Sequence, residues 1–167
     1  MSLKLRQTLA YYLIFISIGF NGAILGPSLS TLAAHTGSTL SAISIIFTAG
    51  SFGRFAGALL GARLYDRIGK GHRVMALGVV GMALMLASVP LARVLLVLVI
   101  VEFLRGLTET LTDVGGNTLL VWAHGSGVAP FMNGLHFMFG VGTAIMPLIM
   151  AQSLNLTNDV ALGFFIT

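Results

Sequence analysis

The sequence has no cysteine and is poor in charge, with 8% of its 167 residues Asp, Glu, Lys or Arg. Without cysteine there is no disulfide framework, no thiol nucleophile and no thiolate metal site. So little charge excludes an ordinary soluble domain, which carries about 25% charged residues to cover its surface in water. Acidic groups are the scarcest, five in all, and three of them crowd into one apolar segment. What is abundant is apolar: 56% of the residues are hydrophobic and 21 are glycine. The bilayer is the solvent that suits such a chain. The formal charge of +4 does not imply a nucleic-acid partner, because the basic residues fall mostly in two short segments.

A helix needs about 20 mostly apolar residues to cross a hydrocarbon core of about 30 Å. Five segments qualify: Leu9–Ala33, Leu40–Leu64, Val74–Ala92, Val94–Trp122 and Ala129–Leu154. A sixth begins near Val160 and runs to Thr167, too short to span. The first follows Lys4 and Arg6, yet it is too long for a signal-peptide core and lacks a small-residue cleavage pattern, so it is read as a retained helix. The connections His35–Thr39, Asp66–Arg73, Pro90–Arg93, His124–Val128 and Asn155–Asp159 are short, which forces successive helices antiparallel. The expected fold is all-α: a single transmembrane domain over residues 1–167, with five complete helices and the start of a sixth.

Lys4, Arg6, Arg63, Arg67, Lys70 and Arg73 gather on one side of that bundle, and the other side has Arg93. The positive-inside rule then makes the N-terminus cytoplasmic, in a multi-pass protein of the cell (plasma or inner) membrane. Gly53, Gly57 and Gly61 recur every four residues in the second span, as do Gly22 and Gly26 in the first. Small residues at this spacing let helix backbones approach closely, where lipid offers no hydrophobic drive to association. Dense packing is one reading of these glycines and bending during a working cycle is the other. Pro27 and Pro147 lie inside the first and fifth spans, where each removes a backbone donor and favours a bend.

The fourth span carries Glu102, Arg105, Glu109 and Asp113. At about 100° per residue, Glu109 lies at roughly 340° from Glu102, Asp113 at roughly 20°, Arg105 at roughly 300° and Asn117 at roughly 60°. The four charges share one face. Each costs about 2.5–3.5 kcal/mol at the bilayer centre, so the stripe must face protein or a water-filled cavity. Three carboxylates stand against two intramembrane cations, Arg54 and Arg105, which leaves one acid without a permanent partner. Such a group out of water favours its neutral form and can carry a proton. Arg54 and Glu109 fall near mid-helix. Asp113 and His136 lie about 7 Å further toward the side bearing the N-terminus, with Asn117 and Asn133 deeper still. Glu102 and Arg105 also fit a self-contained i,i+3 ion pair that merely neutralises both.

On the fifth span Asn133, His136, Gly140, Thr143 and Pro147 occupy about one third of the helix circumference. His136 is open to two readings: a packing residue bonded to a backbone carbonyl, or a solute ligand or proton relay. No second histidine or thiol stands near it to suggest a metal site. No cofactor is expected. No pairing of nucleophile with base, metal cluster or phosphate-cradling loop is evident, so an enzyme is not expected.

The run Leu64-Tyr65-Asp66-Arg67-Ile68-Gly69-Lys70 resembles the loop motif of the major facilitator superfamily, glycine-x-leucine-x-aspartate-arginine-x-glycine followed by basic residues. Leu64, Asp66, Arg67, Gly69 and Lys70 match, with Ala62 at the first glycine position and Gly61 one place away. The resemblance implies a twelve-helix transporter of two six-helix halves, with solute held between them near the midplane. This chain would then be an incomplete N-terminal half, a fragment completed by a C-terminal half on the same or a second chain. It also implies that Asp66 holds a cytoplasmic gate against a helix of the other half. A plain salt bridge to Arg67 or Arg63 is the alternative, and the basic residues otherwise only fix topology.

A narrower likeness runs from Gly106 to Pro147, through Asp113-Val114-Gly115-Gly116-Asn117, Trp122, His124, Asn133, His136, Gly140 and Pro147. It is similar to the branch containing sodium-dependent glucose transporters and, more remotely, fucose–proton symporters. That implies a secondary active transporter of small, sugar-like solutes coupled to a proton or sodium ion. The implied solute ligands are Asn117, Asn133 and His136, with Asn21 added from the first span. Asp113 is the implied coupling group; the charge count, not the resemblance, sets Glu109 and Glu102 beside it, with Arg54 and Arg105 as charge partners. Glu109 stands where relatives often have a small residue, so its role is not inherited. A drug or lipid exporter of the same superfamily and a non-transporting membrane bundle are the rival expectations.

Overall fold

The computed structural model describes residues 2–167, apart from the side chain of Ile68. The helices are α1 (Leu3–Ala23), α2 (Leu25–His35), α3 (Leu40–Ile43), α4 (Ile45–Ile68), α5 (Gly71–Ser88), α6 (Leu95–His124), α7 (Ala129–Thr157) and α8 (Ala161–Phe165). Short 3-10 turns at Val89–Leu91 and Gly125–Gly127 complete the secondary structure. Leu40–Arg67, Gly71–Leu91 and Ala129–Thr157 are long and apolar enough to cross a membrane, and α1 with α2 makes a fourth span if the bent pair counts as one. The 30 residues of α6 are also long enough, at about 1.5 Å per residue. Its charges, not its length, distinguish it from the other spans.

The first span does not run straight. Between α1 and α2 the axis turns by 50° at Ile24. Pro27 lies in the first turn of α2, so it cannot donate to the Ala23 carbonyl, and its ring crowds that carbonyl. Pro147, by contrast, sits within an unbroken α7. The expected connection Asp66–Arg73 also proves shorter. Asp66 and Arg67 belong to the last turn of α4, and α5 resumes at Gly71. Gly69 makes this two-residue turn possible by adopting φ 59°, a left-handed conformation that a side chain would strain.

Helices that follow one another in sequence are not always the main packing partners. The closest pairings are α4 with α6, α1 with α7 and α5 with α6. Glycines make the first two possible. A Cβ on Gly53 or Gly57 would overlap the carbonyl oxygens of Phe103 and Leu107, and one on Gly61 would press on Val114. On α1 the seam runs through Gly19, against the backbone of Phe139 and Gly142. It does not run through the expected Gly22 and Gly26, of which Gly26 has nothing within 4 Å. The fourfold spacing was right for α4, where it marks the face turned to α6. In α1 the bend carries Gly26 off that face.

Two apolar clusters fill the bundle. Tyr11, Phe15, Ile18, Tyr65, Met75, Leu120 and Leu135 form one toward the N-terminal end. Ile24, Leu32, Ile46, Leu98, Met146 and Met150 belong to the other. Leu77, Leu84, Phe137, Leu148 and Leu156 are exposed, an outer surface suited to lipid rather than water. Side-chain bonds tie each end. At the N-terminal end Tyr11 pairs with His72 at 2.9 Å and Thr8 with His124 at 2.7 Å. At the opposite end His35 meets Asp159 at 3.3 Å. Burial works to raise the Asp159 carboxyl, but the Ala161 amide and His35 outweigh it and hold the group below its ordinary value.

Candidate functional site

A polar layer lies between the two apolar clusters, built on α6. Glu102, Arg105 and Asn21 are buried at 0%, 1% and 0% exposure, so the charges must satisfy one another within the bundle. The Arg105 Nε donates to Glu102 Oε2 at 2.7 Å, the i,i+3 pair expected from spacing. Its Nη1 reaches across to α1, donating to the Asn21 carbonyl at 2.8 Å and to Asn21 Oδ1. The same Nη1 lies 3.5 Å from Glu109 Oε2. Arg54 of α4 approaches that oxygen from the other side, at 4.0 Å. The depth match between Arg54 and Glu109 is therefore a real proximity.

Beyond Glu109 the layer opens into a cavity of about 250 Å³. Arg54 from α4, Glu109, Thr110 and Asp113 from α6, and His136 from α7 supply its polar lining. Phe15 and Ile18 of α1 and Phe139 of α7 supply the apolar lining. The cavity exists because α6 and α7 scarcely touch: each packs on another helix, and the space between them stays open. Phe15 stands edge-on to the His136 ring with centroids 6.1 Å apart. Asp113 is half-buried and, among the described residues, makes no ion pair. Its Oδ1 accepts from Asn117 Nδ2 at 3.3 Å. Two acids, a guanidinium and an imidazole thus face one hollow with aromatic walls, which can hold a cation beside a polar solute.

The remaining expected residues fall elsewhere. Asn117 is bonded to its own helix through the Asp113 carbonyl at 2.9 Å and borders a separate pocket with Trp122 and Met132. Asn133 is exposed and does not line the Asp113 cavity. Asn21 is consumed by Arg105 rather than turned to the hollow. Asp66 and Arg67 are exposed, and Asp66 has no ion pair among the described residues, so the alternative bridge to Arg67 or Arg63 is not formed. Lys70 is exposed beside Gly69 in the turn. Phe139 belongs to the stretch that carries the narrower likeness, but neither it nor Phe15 was expected to line a site, because an aromatic residue in an apolar run carries no local mark of a cavity. Among the described residues no group of three or more His, Asp and Glu is arranged to hold a metal ion.

Comparison with known proteins agrees with this architecture. Residues 11–161 match the Major Facilitator Superfamily. Sodium-dependent glucose transporter 1A of Mus musculus is 30% identical over 138 residues, covering 83% of this chain and 32% of that protein. Major facilitator superfamily domain-containing protein 4A of Danio rerio is 30% identical over 155 residues, covering 93% of this chain and 30% of the relative. Sodium-dependent glucose transporter 1 of Homo sapiens is 28% identical over 143 residues, 86% of this chain and 27% of its own length. The chain thus spans about a third of the length of these curated relatives. No solved structure matches it significantly. The matched region covers nearly every helix of this all-α bundle, and the chain belongs to the Major Facilitator Superfamily.

Proposed function

We propose that this chain forms part of a secondary active transporter that moves small, sugar-like solutes across a cell membrane by alternating access, coupled to sodium or a proton. The observation that carries the reading is the meeting of Glu109, Asp113 and the exposed His136 on one cavity of an apolar bundle. Three carboxylates, Glu102, Glu109 and Asp113, against Arg54 and Arg105 leave one negative charge in excess. A coupling cation at Asp113 would cancel that excess, and a neutral site can be closed off from water at less cost than a charged one. The printed names of the relatives favour sodium and a sugar. Phe15 and Phe139 offer faces for the apolar side of a sugar ring, with His136, Thr110 and Asp113 as hydroxyl partners.

In this reading the rest of the transporter, on the same or another chain, supplies the opposite wall of the cavity. By the positive-inside rule, the basic residues at the N-terminal end favour a cytoplasmic position for that end. Asp66, exposed on the last turn of α4, serves as the gate contact. A carboxylate there is disfavoured by its own helix dipole and is better placed against the N-terminus of a facing helix. The activity is transport, without a chemical step.

The test is uptake of labelled solute by cells expressing the complete protein. Asp113→Asn is expected to abolish ion-driven accumulation while leaving exchange of solute across the membrane. Full accumulation by that variant at every pH and sodium concentration would refute the coupling role. A second reading, export of amphiphiles, is favoured by a groove of about 510 Å³ on α4 lined by Phe47, Thr48, Ser51, Phe52 and Phe55. Competition separates the two: sugars inhibit flux in the first, hydrophobic cations in the second.

A further inference from the structure

We infer that Arg105 sets the bend of the first span and so links the charge state of the cavity wall to the position of α2. The bend leaves the last carbonyls of α1 without partners in their own helix. Pro27 cannot serve the Ala23 carbonyl. Arg105 reaches from α6 to a different carbonyl of that last turn, that of Asn21. Its Nη1 donates to the Asn21 carbonyl at 2.8 Å and to the Asn21 side chain, two positions before the end of α1. A cation at a helix C-terminus is also favoured by the helix dipole. The guanidinium therefore acts as a cap borrowed from another span.

That cap is shared. The same Nη1 lies 3.5 Å from Glu109 Oε2, which is on the cavity wall and is also approached by Arg54 at 4.0 Å. An ionised Glu109 draws Nη1 away from α1, and a neutralised Glu109 leaves Nη1 to Asn21 alone. Glu102 anchors Arg105 through Nε in either case, at 2.7 Å, so the guanidinium pivots rather than leaves. The charged and titratable groups around this pivot are Arg54 from α4, Glu102, Glu109 and Asp113 from α6, and His136 from α7. One donor and one acceptor beside it, Asn21 Nδ2 and Glu102 Oε1, are buried without partners among the described residues. Buried polar groups are normally paired, so their presence marks an arrangement that a second position of α1 would satisfy better. Arg105 is a positioning residue: it does not line the cavity, and it acts through the bend.

The use of this device in transport rests on the reading above, but the bend can be measured without transport. This chain has no cysteine, so Ala34→Cys on α2 and Val97→Cys on α6 can carry a pair of spin labels in the complete protein. The 11 residues of α2 extend about 16 Å, so a tilt of about 20° moves the far end by roughly 5 Å. Glu109→Gln is expected to give one narrow distance, whether or not coupling ion is added. Glu102→Gln with Arg105→Gln, which removes both buried charges together, is expected to shift or broaden it by roughly 5 Å. Arg105→Lys keeps the charge without the planar fork and should follow that double variant rather than the wild type. Identical distances in the wild type and in both Arg105 variants, all folded, would overturn the inference and leave Arg105 as a neutraliser of buried acids. If the distances behave as expected but the wild type carries no ion-coupled flux, the transport reading fails and the hinge stands.

Discussion

Helix α6 has two faces that obey opposite rules. Toward α4 the backbones meet directly. A Cβ on Gly106 would overlap the Gly50 carbonyl, and those on Gly53 and Gly57 would overlap carbonyls of α6. Toward α7 the same helix leaves a cavity with Asp113 and His136 on its walls. The seam is the means by which α6 is fixed without help from α7, and it leaves the other face free to hold water and charge. On the same face as Asp113, but about two to three turns along the helix, sits the Glu102–Arg105 pair, too buried to take part in exchange with solvent. Residues on one face of a helix therefore differ in role because of what surrounds them at each depth, not because of their chemistry.

Breaking the dry side should have the largest effect. Glu102→Ala leaves Arg105 buried with a lost partner, and is expected to destabilise by about 3–5 kcal/mol. The check is thermal unfolding in detergent, with Asp113→Asn alongside: the half-buried Asp113 should lose coupling while unfolding near the wild-type temperature. Gly53→Ala comes next. Its methyl would have to displace the Phe103 carbonyl, an overpacking expected to cost about 1–3 kcal/mol. Gly140→Ala is the matched substitution in α7, one turn beyond His136, where nothing lies within 4 Å. Alanine is the better helix former, so this change should stabilise by up to about 1 kcal/mol. Equal losses at positions 53 and 140 would erase the distinction between the faces.

The smallest effect belongs to a control outside both faces. Asp159 is held below its ordinary value of 3.8 by the Ala161 amide and His35, which outweigh its burial. A depressed carboxyl contributes stability above its unfolded value and loses it as pH falls through the folded one. With the Asp159 side chain 38% exposed, solvent screening limits the contribution to less than about 1 kcal/mol. Asp159→Asn should therefore melt slightly below the wild type at neutral pH, with the gap closing in acid below 3.8. A gap that widened in acid would reverse the sign.

Much of this was legible in the sequence, for reasons that also mark where legibility stops. Helical periodicity fixed which residues share a face of α6, and counting rise along each span matched Arg54 to Glu109, 4.0 Å apart. Both use only the geometry of a single helix and its depth. Neither tells which helices become neighbours. Asn133 stands at a depth near Asn117, yet it is exposed and lines no wall with it, because α6 and α7 diverge instead of packing. Asn21 looked like a solute ligand on its own helix, but the bend at Ile24 and an arginine 84 residues away claim it. The roles of Phe15 and Phe139 depend wholly on that third dimension.

The most direct test of the account is the aqueous character of the hollow between α6 and α7. Single cysteines at His136→Cys and at Asn21→Cys, in the complete protein in membranes, are treated with a charged, membrane-impermeant thiol reagent from each side. The cysteine at position 136 should react and be protected by coupling ion with solute, while the one at position 21 stays silent. A position 136 that reacts only with lipophilic reagents, or no faster than position 21, would place Asp113 and His136 against lipid or dry protein and contradict the account.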